Sequence, residues 1–88
     1  MTFKRLSALT EMVRTFQAEK PYENVVILIS FDQLSELRAK CTWQMILTQE
    51  RQEHFIGCQL IMVNDKHDYL AVAYEWSGHI YNKQEVKA

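Results

Sequence analysis

Phe3, Leu6, Leu9, Met12, Val13 and Phe16 recur at steps of three and four, the spacing that lines one stripe of an α-helix. Lys4, Arg5, Glu11 and Arg14 fall away from that stripe. Lys20 suits the negative end of the helix dipole, and Pro21 stops the helix. The pattern then changes. Residues 25–30, VVILIS, are apolar almost without a break, which predicts a strand covered on both faces and hence a central one. Ser30 opens a short helix predicted from 31 to about 40. As N-cap it puts Gln33 at N3, a capping box, and sets Ile29 against Leu34 as a hydrophobic staple. Asp32 in the first turn and Arg38 and Lys40 near the last complement the dipole.

Residues 42–56, TWQMILTQERQEHFI, fit more than one template. Trp43, Met45 and Leu47 alternate with Gln44 and Thr48 as in a strand. Leu34, Leu37, Cys41, Met45 and Thr48 also share a helical face, so the preceding helix could continue. The preferred reading is a strand over 42–47 and then a helix that Thr48 caps and Gly57 ends, with Glu50 early in its first turn. QERQE has no residue suited to a tight turn, which argues against a plain β-meander. CQLIMV and YLAVAYEW flank NDKHD, a cluster of turn formers, and predict an antiparallel hairpin. Ser77-Gly78 ends the second strand, and 77–88 read as a tail. The sum is one α+β domain. Its sheet is mixed or antiparallel with three or four strands, beside the N-terminal amphipathic helix and one or two further short helices.

Side chains alternate across a strand, so the last two strands divide into faces. One collects Cys58, Leu60, Met62, Leu70, Val72, Tyr74 and Trp76 and is expected to be buried under helices. The other collects Gln59, Ile61, Val63, Tyr69, Ala71, Ala73 and Glu75, too apolar to be left wholly in water. Either a helix covers it as well, which a two-sided central strand would suit, or a partner does. In the second case Tyr69, Ile61 and Val63 are contacts and Gln59 and Glu75 the rim. Tyrosine with small residues and few charges matches the centre of a protein interface.

Eighty-eight residues make one domain. Ten Lys and Arg against eleven Asp and Glu give a formal charge of −1, unlike the basic balance of general nucleic-acid binders. The basic groups gather at the start, with Lys4, Arg5, Arg14 and Lys20 against Glu11 and Glu19. A nucleic-acid-associated regulator using that helix is one alternative, although no second helix with the usual turn completes a helix-turn-helix. Cys41 and Cys58 do not make a disulfide framework. Both lie in apolar runs, which predicts reduced thiols and a cytoplasmic protein. No apolar run approaches the roughly 18 residues of a membrane span.

Catalytic signals are weak. Two glycines cannot build a phosphate-cradling loop. Ser30 lacks the flanking glycines of a nucleophile elbow and reads as a cap. CxxC and HExxH are absent, so neither metal nor other cofactor is expected. Asp65 and Asp68 read as turn residues. Glu50, Glu53 and His54 are the one acid–base cluster close in sequence, and a small enzyme built on them is the second alternative. His79, beside Trp76 and Tyr81, suits packing against an aromatic edge better than a ligand. The expected function is a noncatalytic protein-interaction module: an adaptor, regulator or inhibitor of a protein partner, or a chain that self-associates through a sheet face.

Overall fold

The computed structural model describes residues 1–41, 45–47, 53–64 and 66–87, with 45–47 as backbone alone. In chain order the elements are α1 (Phe3–Glu19), β1 (Asn24–Ile29), α2 (Phe31–Lys40), β2 (Met45–Leu47), β3 (Glu53–Phe55), β4 (Cys58–Met62), β5 (Leu70–Trp76) and β6 (His79–Glu85). Among the described residues the six strands form one mixed sheet in the order β2-β3-β4-β1-β5-β6. This is a single α+β domain with a wider sheet than expected.

Local signals account for the first three elements. Thr2 caps α1 by accepting the Arg5 N–H at 3.1 Å. The helix ends at Glu19, ahead of Pro21. Ser30 caps α2 by accepting the Gln33 N–H at 3.4 Å, and the stapled pair Ile29 and Leu34 is buried. The reciprocal arm of the capping box is not made, because the Ser30 N–H donates to the Tyr69 carbonyl at 3.0 Å. Strand β1 takes the centre of the sheet, parallel to β4 on one side and antiparallel to β5 on the other. A parallel pair needs a crossover, and the segment carrying α2, β2 and β3 supplies it.

Three expectations are corrected. The hairpin between residues 58–63 and 69–76 does not form, because β1 lies between the two strands. The connection instead spans two inter-strand spacings, about 10 Å, across the end of β1. There Val63 N–H donates to the Ile29 carbonyl at 2.9 Å and Ser30 Oγ to the His67 carbonyl at 2.6 Å. Residues 53–55, expected in a helix, are strand β3, which pairs with both β2 and β4. The cap assigned to Thr48 lies outside the described residues. Finally, the expected tail returns as β6, paired antiparallel with β5.

Two left-handed dipeptides turn the chain between β3 and β4 and between β5 and β6. Phe55 pairs with Cys58 across Ile56-Gly57, whose φ values are +47° and +81°. Trp76 pairs with His79 across Ser77-Gly78, at +52° and +84°. Positive φ at both loop residues is the type I′ geometry, whose twist matches that of the flanking strands. Neither Ile nor Ser is a usual first residue for it, which hides both turns from a sequence reading. Asn82, also left-handed at φ +54°, sits in a bulge opposite the stretch between Val72 and Tyr74.

Both helices pack on one face. Leu9, Val13 and Phe16 of α1 and Leu34 and Leu37 of α2 join Ile27, Ile29, Leu70, Val72 and Tyr74 in one cluster. The cover is shorter than the strands: Met62 and Trp76, expected to be buried on this face, are 59% and 67% exposed. The other face holds a second cluster of Val26, Leu28, Tyr69, Ala71 and Ala73, with Ile61 and Val63 against it. Neither α1 nor α2 contributes to it.

Replacing Ser77 by Asn keeps the left-handed turn and supplies the residue type that favours it. The variant is expected to be more stable by about 0.5 kcal/mol, a rise of a few degrees in Tm. A Tm at or below that of the wild type would show that the turn is not strained at this position.

Candidate functional site

Cross-strand register places the predicted contact residues on one surface. Gln59 lies beside Val26 and then Ala73, and Ile61 beside Leu28 and then Ala71. Glu75 lies between Asn24 and Ile80. Tyr69 and Val63 meet at the end of β1 through the carbonyl and amide contacts given above. All five sit on the face without α1 and α2.

Their exposures differ. Val26, Ala71 and Ala73 in the middle are fully buried, and Tyr69 retains only 8% of its surface. Lys83 Nζ stands 5.9 Å from the Tyr69 ring centroid, so the ring has an intramolecular cation over it. Gln59, Ile61, Val63 and Glu75 are half-buried. Among the described residues, Glu75 Oε2 is the one buried side-chain oxygen or nitrogen without a hydrogen-bond partner. Such orphaned groups are rare in folded chains because each has lost its water.

Glu75 leads directly into a patch that alternation along β5 had hidden. Trp76 is 67% exposed, Ile80 39%, and Tyr22, two residues before β1, fully exposed. Asn24 pairs with Glu75, and Trp76 with His79, so these groups share one end of the sheet. Behind them is an aromatic cluster. Tyr74 packs on Phe16 at 4.8 Å and on Tyr81 at 5.5 Å between ring centroids. Its hydroxyl donates to the Phe16 carbonyl at 2.7 Å, which also accepts the Lys20 N–H at 3.1 Å. A hydrogen bond with the Glu23 carboxylate, reinforced by burial, pushes the Tyr81 phenol up to about 12.

Of the four residues of the alternative nucleic-acid surface, Arg5 is drawn into the interior. Its guanidinium is buried at 7% exposure, with Nη1 on Gln33 Oε1 at 2.9 Å and Nη2 on the Val86 carbonyl at 2.9 Å. Nη2 also donates to the Asp68 carbonyl. Gln33 Nε2 passes the network to Glu36 at 2.7 Å, and Glu36 pairs with the Met1 ammonium. Lys20 Nζ lies 5.2 Å and 5.3 Å from the Tyr74 and Tyr81 ring centroids. Lys4 and Arg14 are exposed. Two of the four expected phosphate contacts therefore face the chain itself.

The acid–base cluster also separates. Glu50 lies outside the described residues. Glu53 and His54 are consecutive in β3, so their side chains leave opposite faces. Arg38 hydrogen-bonds the Glu53 carboxylate, with Nε at 2.9 Å from Oε2, and holds its pKa below the usual carboxylate range. Cys41 and Cys58 are free and buried, and burial pushes the Cys58 thiol up to about 11. Among the described residues, no three His, Cys, Asp or Glu side chains gather as a metal site. His79 is exposed at the start of β6.

No protein-family profile, no curated protein and no solved structure matches this chain.

Two measurements check these assignments. Arg5→Ala leaves three acceptors in the interior and is expected to lower stability by about 2–4 kcal/mol in urea unfolding. Arg5→Lys should recover little, since one ammonium cannot reach all three; wild-type stability in the Lys variant would refute the role of the fork. The second concerns Tyr81, whose pKa is raised from 10.0 to about 12 in the folded chain. Its contribution is complete below pH 10 and lost as pH rises through 12. Tyr81→Phe should therefore show a smaller loss of stability across that window than the wild type, and an equal loss would contradict the assignment.

Proposed function

We propose that this chain is a noncatalytic protein-interaction module. Its partner docks around the hairpin end of the sheet, with Ile80, Glu75, Gln59, Ile61 and Val63 on the helix-free face and Trp76 on the opposite face where the helices stop short. The observation that carries the reading is the combination at one end of β5. An exposed tryptophan follows a carboxylate whose buried oxygen has no hydrogen-bond donor among the described residues. Tryptophan is among the residues that most often dominate interface energetics, and a cationic or amide donor from a partner would satisfy Glu75. Val26, Ala71 and Ala73 form the rigid floor beneath, and Tyr69 supports that floor rather than serving as an anchor. A large aromatic left in water with an unsatisfied acceptor beside it has little value to the isolated domain.

The test is affinity capture from the source cell after nuclease treatment, with the bound protein identified by mass spectrometry. Wild-type chain is expected to retain one stoichiometric protein, and Trp76→Ala combined with Ile61→Ser to lose it at unchanged circular dichroism and Tm. Sedimentation equilibrium of the purified chain reports whether that protein is a second copy. Equal retention by the double variant would move the contact elsewhere. Capture that disappears with nuclease would replace this reading by nucleic-acid association.

A further inference from the structure

We propose that a separate cleft, between α1, the end of α2 and the β3–β4 turn, binds an amphipathic carboxylate of the fatty-acid class. The cleft has a volume of about 720 Å³, within the roughly 300–1,000 Å³ of small-molecule sites. Leu6, Cys41, Phe55 and Ile56 supply apolar walls, and Phe3 stands at its edge with 82% of its surface exposed. Two cations, Arg14 and Lys40, line the same space, against one acid, Glu11. Among the described residues neither cation has an ion pair, hydrogen bond or ring contact within the chain. An alkyl chain against the apolar wall and one carboxylate at the two cations would answer both halves of this lining.

A second observation comes from the backbone. Ile56 lines the cleft at φ +47°, a conformation in which a β-branched residue is an outlier and Asn or Gly would be relaxed. The turn alone has no use for an isoleucine there. Its side chain is instead partly packed against the main core and offers its remaining surface to the cleft. Strained residues of this kind gather at ligand sites, where the surrounding structure holds them. A phosphate-rich ligand would leave the apolar wall uncovered, and a neutral lipid would leave both cations unanswered. Among the described residues, a monoanionic amphiphile answers both the apolar wall and the two cations.

This site lies apart from the protein-docking surface, so the two readings stand or fall separately. The experiment is calorimetric titration of the intact chain with dodecanoate below its micelle concentration, beside dodecyltrimethylammonium and 1-dodecanol. Dodecanoate is expected to bind saturably at one site, and the ammonium analogue not to bind. Arg14→Gln with Lys40→Gln, both exposed positions, should weaken dodecanoate roughly tenfold, the combined effect of two partly exposed charge contacts. Ser7→Trp places an indole in the cleft from an exposed helical position and should abolish binding. Absence of saturable binding would overturn the proposal, as would equal affinity for the ammonium analogue or undiminished binding by the charge-neutralised variant. That variant decides the matter even where Ser7→Trp does not fold.

Discussion

Strand β1 has no polar side, and the rest of the molecule is arranged around that constraint. Val25, Ile27 and Ile29 point to the helices while Val26 and Leu28 point the other way, and all five are buried. A strand of this kind cannot be an edge, so β4 and β5 flank it and the connection between them must pass over its end. Ser30 serves that crossing twice, through its backbone amide and its hydroxyl, while also capping α2. The two faces are then treated differently. One receives both helices and a large mixed core; the other receives alanines, a valine and a leucine close to the backbone, with Tyr69 at their margin.

Arg5 closes the structure at the opposite margin. It is a buried charge answered by carbonyl and amide oxygens rather than by a carboxylate, and it joins α1, α2, the β4–β5 connection and the residue after β6. Charge-assisted bonds to backbone carbonyls are directional and short in reach, so the guanidinium fixes where Val86 lies. Val86 in turn donates to Leu70 at 2.7 Å and fills the core. Polar order at this corner is what allows β6, a strand with few buried side chains of its own, to hold its place.

How much of this was legible follows from range. The periodicity of α1, the unbroken apolar run of β1 and the Ser30 cap of α2 are local signals, and each specified its element. The insertion of β1 between β4 and β5 is a long-range pairing, and NDKHD, although made of turn residues, reads the same whether it joins neighbours or steps over a third strand. The turns at Ile56-Gly57 and Ser77-Gly78 were missed because only their second residues advertise positive φ. Assigning β3 to a helix placed Glu53 and His54 on adjacent helical faces, whereas a strand sends them to opposite ones. Alternation did place Gln59, Ile61, Val63, Tyr69 and Glu75 on one face. It could not show that Lys83, from a segment read as a tail, stands over Tyr69, nor that the helices stop short of Trp76.

The clamp on Val86 also orders events in time. Protein chains are made from the N-terminus, so Arg5 leaves the ribosome before its acceptors at 68 and 86. The same holds for β1, whose two neighbours are completed only at residues 62 and 76. During synthesis, therefore, α1, β1 and α2 emerge as a fragment with a doubly apolar strand and no edge partners. Such exposed segments are the ones that nascent chains mispair and that chaperones shield. Arg5 can complete its bonds, and Val86 its place in the core, only after residue 86 has cleared the exit tunnel.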